Sequence, residues 1–393
     1  MAVTEMKNVC SNSTQRNNYS PALYVNGRID NPYVYGAPVK DTFFGRQNEL
    51  EQIMQAVTKP RKQDILLVGE RRSGKTSLLY QLESRISKPF IPVYVVLNTS
   101  KPTTNEVLKL IIRKIVQQLV RQELIEPHWM KERFAEIDFI EDVKKIIDAA
   151  KENLADVKLV LLLDEADYLL KVEVEDSGLF LGWLNSIRGR RQRDERVQNL
   201  LRAALQSREI GADLRAVVAG TSDLSTYISQ RSSPFFNHFR LVRLKPLTVP
   251  ETRQLITKPV AGLAYCYSQD AIERIITLSG GHPYYCQALC YEAFNEALQN
   301  ERHLISTQDV AAAKRKVVAD FFNSYLSAVW QRSNQIEKRY LRALAQGKPT
   351  DNSSRAQIRR LLDWQIVTEN ERNYSFSSDL LKEWTLIAMG EVG

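Results

Sequence analysis

The clearest chemistry in the chain lies in the run Gly69-Glu70-Arg71-Arg72-Ser73-Gly74-Lys75-Thr76, which fits the pattern G-x-x-x-x-G-K-[ST] in full. Glycines at both ends let the backbone turn its N–H groups inward around a phosphate chain, and a following helix adds the positive end of its dipole. In such a loop Lys75 reaches the β- and γ-phosphates and the Thr76 hydroxyl ligates magnesium. Arg72, Ser73 and Ser77 complete the stretch that lines the nucleotide. A second acidic element follows the apolar run Leu159 to Leu163 at Asp164-Glu165. A strand end beside the phosphate loop is where a metal-binding carboxylate is needed, so Asp164 is assigned to the magnesium shell. Glu165, next in line and pointing elsewhere, is placed to polarise an attacking water. Asp167 has two readings, an acid that orients Glu165 or a solvated acid that begins a helix. In Ala219-Gly220-Thr221-Ser222-Asp223, Thr221, and after it Ser222, can touch the γ-phosphate or the water. Equally, Thr221 can cap the helix that follows.

These groups need elements to hold them. Asp64 to Val68 is short, apolar and β-compatible, it runs into Gly69, and a helical pattern occupies Lys75 to Ile86. Further buried strands are predicted at Ile91 to Leu97, Leu159 to Leu163, Arg215 to Ala219 and Leu241 to Leu244, with an amphipathic helix from Glu106 to about Glu123. Apolar strands alternating with helices indicate a mainly parallel sheet covered on both faces. Upstream, Asn48 to Val57 is helical, and Asn31 to Val39 packs prolines, a glycine and aromatics into an extended strap. Downstream, Val249 to Thr257, Ser268 to Leu278 and Pro283 to Leu298 are helical, with no further strand to about Arg302. The end of the chain reads as a helix at Arg355 to Asp363 and a hairpin from Gln365 to Thr368 and Tyr374 to Ser377.

With 393 residues, 44% hydrophobic and 25% charged, the chain is globular and needs more than one core. The net charge of +8 suits nucleic acid, an acidic partner or simple solubility. The cysteines are Cys10, Cys266, Cys286 and Cys290; only the last two sit close together, and that pair matches no zinc spacing and reads as buried thiols of a reducing compartment. No apolar stretch is long enough to span a bilayer and no apolar signal core opens the chain, which predicts a cytoplasmic protein without membrane contact.

Taken together, Asn31-Pro32-Tyr33, Phe43-Phe44-Gly45-Arg46, the phosphate loop running on to Leu79, Asp164-Glu165-Ala166-Asp167 and Gly280-Gly281-His282-Pro283 resemble the STAND class of signal-transduction ATPases. That class is related to the AAA+ and Orc/Cdc6-type ATPases. The resemblance implies an α/β fold: a three-layer P-loop ATPase core of the ASCE type with a parallel sheet, then a helical lid and a C-terminal winged helix. The corresponding segments are a disordered tail (1–24), the core (25–248), the lid (249–306), and a helical linker with the winged helix (307–393). ATP and Mg2+ are the implied cofactors. Phe44, Gly45 and Arg46 would flank the adenine. His282 and Pro283 would open a lid helix facing the nucleotide, although a proline also simply starts helices. Ring-forming relatives present an arginine finger to a neighbouring subunit; Arg240 is one position for it and Arg231 a lesser one.

The implied function is an ATP-hydrolysing switch coupled to an effector or sensor protein, with a homo-oligomer as one form. The alternative is an Orc/Cdc6-like or transposition-type regulator that grips DNA through Arg355, Gln357 and Arg359. The dense basic run Arg188 to Arg196 is either an anion-binding projection or a solvated loop.

Overall fold

A run such as Leu159 to Leu163 has no polar face to offer water, so it forms a stable strand only when covered on both sides. The computed structural model describes residues 24–25, 28–38, 43–98, 103–131, 138–171, 195–322, 325–348, 355–370, 373–388 and 390. It divides into two units, Arg46–Lys245 and a second drawn from Met1–Gly45 and Pro246–Gly393. The residues of the basic run from Arg188 to Asp194 lie outside those described.

A two-strand antiparallel hairpin, β1 (Tyr24–Val25) and β2 (Arg28–Ile29), precedes the first unit. Within Arg46–Lys245 the strands are β3 (Ile65–Val68), β4 (Phe90–Val96), β5 (Lys158–Asp164), β6 (Leu214–Gly220) and β7 (Arg240–Arg243). They form one sheet in the order β4-β5-β6-β3-β7, and every neighbouring pair is parallel. One strand, β6, therefore separates the phosphate-loop strand β3 from the acidic strand β5. Parallel pairing demands a crossover after each strand, and the helices Lys75–Arg85, Thr104–Arg121, Phe139–Lys151 and Arg196–Gln206 fall in these connections. The apolar faces of the last three join the strands in one buried cluster. All four residues of β3 are buried, each contributing about 1.5–3 kcal/mol of apolar burial.

The other unit is mostly helical. The helices Val249–Thr257, Gln269–Ser279, Pro283–Gln299 and Thr307–Phe322 share a second buried cluster with the C-terminal segments. The expectation of no strand between Val249 and Arg302 fails at β8 (Cys266–Tyr267), which pairs in parallel with β9 (Leu304–Ile305). Two-residue strands are too short to imprint a period on the sequence. The helix Arg355–Asp363 is followed by β10 (Val367–Asn370) and β11 (Asn373–Phe376), an antiparallel hairpin. A further helix, Asp379–Ala388, comes after it.

The strap near Asn31 is fastened onto this unit. Asn31 Nδ2 donates to Tyr291 O at 2.9 Å and to Asn295 Oδ1 at 2.7 Å. Tyr33 is buried, and its hydroxyl donates to Ile256 O. Cys286 and Cys290 are buried free thiols, and Cys266 is disulfide-bonded. Among the described residues no helix is long and apolar enough to cross a membrane.

Candidate functional site

β3 delivers the chain to Gly69, whose N–H donates to Gly220 O at the end of β6 (3.2 Å). A Cβ on Gly69 would stand 2.5 Å from Ser73 Oγ and 3.1 Å from Leu244 Cβ, so only glycine lets the loop close here. The loop then takes left-handed backbone at Arg72 (φ 63°) and Gly74 (φ 95°), and Gly74 caps the helix Lys75–Arg85. Arg72 is exposed, Ser77 is buried in the first turns of the helix, and the buried Ser73 Oγ has no hydrogen-bond partner. An unpartnered buried hydroxyl in a loop at a helix start fits a phosphate oxygen. Lys75 Nζ donates to Gly69 O at 2.8 Å and Glu70 O at 2.9 Å. Burial pulls its pKa down from 10.5, against the attraction of Asp167, Glu70, Glu165 and Asp164.

The acidic strand meets this helix. Thr76 Oγ1 donates to Asp164 Oδ2 at 2.7 Å, and Asp164 is 2% exposed. Two hard oxygen donors this close fit magnesium, which takes few protein ligands and keeps waters and phosphate oxygens for the rest. Glu165 has φ 55° and is exposed, so its carboxylate leaves the line of Asp164.

Thr221 and Asp167 meet each other. Thr221 N and Oγ1 donate to Asp167 Oδ2 and Oδ1 at 2.9 and 2.6 Å. Although Thr221 stands at the N-cap position of Ser222–Ile228, its side chain makes no cap hydrogen bond. Asp167 lies half-buried in the first turn of the 3-10 helix Ala166–Lys171, and its two oxygens accept from Thr221, which it orients. Ser222 Oγ donates to the buried carboxylate of Glu70, bracing the phosphate loop against the end of β6. Sequence reasoning missed Glu70. Its signal was an acid inside an otherwise basic loop.

Arg46 is buried, with Nη1 3.2 Å from Glu49 Oε1 and Nη2 donating to Ser73 O at 3.4 Å, so it touches the phosphate loop directly. Phe44 and Gly45 belong to the other unit. There Phe44 packs on the buried cluster, and a Cβ on Gly45 (φ 76°) would meet Glu251 Oε1 at 2.9 Å. His282 precedes the helix Pro283–Gln299 and stacks on Tyr285 at 4.2 Å. Its neighbours Gly280 and Gly281 are required by close packing: a Cβ would fall 1.8 Å from Ser377 O and 2.2 Å from Leu247 O. Arg240 pairs with Ile65 at the start of β3 and donates to Gln63 Oε1 at 3.2 Å. It stands at the end of the sheet away from its own chain's phosphate loop, and Arg231 is exposed in the turns after Ile228.

In the C-terminal helix, Arg360 stacks 4.6 Å over Trp364, lies 3.5 Å from the fully buried Glu337 and donates to Arg332 O. Arg359 is exposed, 3.9 Å from Asp363. The side chains of Arg355 and Gln357 lie outside the described set.

Residues 43–289 match the family model ATPase_2, an ATPase domain predominantly from Archaea. No curated protein sequence matches the chain. Among solved structures, the Walker-type ATPase PABY2304 of Pyrococcus abyssi is similar over 87% of this chain and 96% of its own, with TM-score 0.62 and 16% identity. The ORC2 protein of Aeropyrum pernix, in ADPNP-ADP complexes, is similar over 90% of this chain and 96% of its own, with TM-score 0.55 and 14% identity. At such identities the likeness speaks for the fold.

Proposed function

The chain belongs to this family of ATPases and hydrolyses ATP, and we propose that it works as a nucleotide-driven switch whose second unit reports the state of the phosphate site to a partner protein. One observation carries this reading. The chain passes between the two units at Gly45-Arg46 and at Lys245-Pro246, and at or next to each passage a residue packs on the phosphate loop or the strand that leads into it. On the first, Arg46 donates to Ser73 O. On the second, Leu244 N donates to Val68 O at 2.7 Å and its side chain closes over Gly69. Beyond the passages, Gly45 abuts Glu251, and Leu247 N donates to Gly281 O at 2.8 Å, next to His282-Pro283. A shift of the loop on losing the γ-phosphate is transmitted along both.

In this reading Lys75 and the loop N–H groups bind the phosphates, and Ser73 Oγ donates to one of their oxygens. Thr76 and Asp164 hold magnesium, which when bound neutralises charge on the transferred phosphoryl group. Glu165 takes the proton of the attacking water, and Thr221, fixed by Asp167, hydrogen-bonds the water or the γ-phosphate. Arg46, bonded to Ser73 O, belongs to the nucleotide-binding set of this unit. The switch is tested by hydrogen exchange on Glu165→Gln, which keeps ATP unhydrolysed. Slower exchange around residues 43–47 and 244–252 with ATP than with ADP supports it. Changes limited to residues 69–78 overturn it.

A second reading, DNA binding through the helix Arg355–Asp363, is supported by the adjoining hairpin and by Arg359, whose side chain is 80% exposed. Arg360 weakens it, since its guanidinium is engaged with Glu337 and Trp364. Salt-sensitive DNA binding that survives Arg359→Gln unchanged would remove this reading.

A further inference from the structure

Tyr94 interrupts the apolar run of β4. The parallel register sets Tyr94 beside Leu162 and Val96 beside Asp164. Alternate residues of a strand share a face, so Tyr94 and Asp164 project to the same side of the sheet. The phenol closes the remaining distance, and Tyr94 OH donates to Asp164 Oδ2 at 2.9 Å. Thr76 Oγ1 meets the same oxygen at 2.7 Å, while Oδ1 accepts from Glu165 N at 2.9 Å. Three donors thus fix the plane of one carboxylate. Tyr94 is braced in turn by Tyr80 of the helix Lys75–Arg85, with ring centroids 5.1 Å apart at 63°.

We propose that Tyr94 is a positioning residue for magnesium, its hydroxyl holding Asp164 Oδ2 where Thr76 Oγ1 and the metal converge. The inference rests on the assignment of Thr76 and Asp164 to the magnesium shell. A carboxylate able to rotate offers a metal either oxygen in turn, and ordering it costs affinity when the metal arrives. A hydroxyl on one oxygen makes that selection beforehand. Tyr94 is half-buried beside Tyr80, and its hydroxyl is the atom that reaches Asp164.

Tyr94→Phe removes one oxygen and keeps the ring against Tyr80. Calorimetric titration of ATP, with and without Mg2+, reads the metal separately from turnover. We expect metal-free affinity to match the parent and the metal-free melting temperature to fall by only a few degrees, the cost of one hydrogen bond. The gain in affinity conferred by Mg2+ should shrink by about tenfold, as for other groups that orient a metal ligand. The Mg2+ concentration for half-maximal hydrolysis should rise by a similar factor. A parental Mg2+ gain in Tyr94→Phe overturns the proposal, as does a fall in metal-free melting temperature that accounts for the whole effect. Thr76→Ala separates the premise from the inference. If Thr76→Ala keeps the Mg2+ gain, the shell is misassigned and the proposal falls with it. If Thr76→Ala loses the gain and Tyr94→Phe keeps it, the shell stands and the role of Tyr94 alone is refuted.

Discussion

The two ends of the central sheet both bury carboxylates, but they hold them with different partners. At the C-terminal end, Asp164 is bonded by the hydroxyls of Thr76 and Tyr94 and by a backbone N–H, and Asp167 by the hydroxyl and N–H of Thr221. At the N-terminal end, Asp64 accepts from Ala216 N at 2.8 Å and lies 3.8 Å from the cation of Lys62, and Asp213 lies 2.8 Å from both Lys151 and Lys158. Neutral donors orient a carboxylate without cancelling its charge, whereas cations cancel it on the spot. One end is therefore left with negative charge to offer a metal ion. The other is self-compensated, and its ion pairs serve the fold.

The largest expected effect falls at the first end. Lys75→Ala removes the cation aimed at the terminal phosphates, and ATP affinity should drop by roughly a thousandfold, the worth of two charge-assisted hydrogen bonds. Calorimetry checks this, and unchanged affinity would break the site assignment. Next comes Asp64→Asn, which leaves Lys62 beside a neutral amide. Breaking a buried pair of this kind costs about 3 kcal/mol, visible as a lower melting temperature. At temperatures where the variant is folded, ATP affinity should equal the parent's. A smaller effect concerns acid. Burial pushes the Asp213 carboxyl up, but hydrogen bonds from Lys151 and Lys158 outweigh it and hold the carboxyl below its ordinary value of 3.8. Its contribution to stability is complete above 3.8 and is lost as pH falls through the lower, folded-state value. Asp213→Asn should lower stability at neutral pH and flatten the acid limb of a stability-against-pH curve. An acid limb as steep as the parent's would contradict the pairing.

Much of the first end was legible in sequence because its signals are local. The phosphate loop needs glycines at fixed offsets between a strand and a helix, and β3 and the helix after it fall where the pattern puts them. The helices Val249–Thr257 and Arg355–Asp363 were bounded correctly by their apolar spacing. What stayed hidden depends on strand order. Tyr94 and Asp164 are 70 residues apart in sequence, and Glu70 and Ser222 are 152 apart. Only the placement of β5 and β6 between β4 and β3 brings each pair together. The helix Phe139–Lys151 also went unread, though Val143, Ile146, Ile147 and Ala150 give it a plain apolar face. Arg360 lies beside a buried glutamate, Glu337, in a fold that local composition does not show.

The contrast between the two ends is tested most directly by titrating ATP into Asp164→Asn and Asp64→Asn, each with and without Mg2+, at a temperature where both are folded. The account predicts that Asp164→Asn loses the affinity gained from Mg2+ while keeping metal-free binding, and that Asp64→Asn keeps both. A parental Mg2+ gain in Asp164→Asn, or its loss in Asp64→Asn, would contradict it.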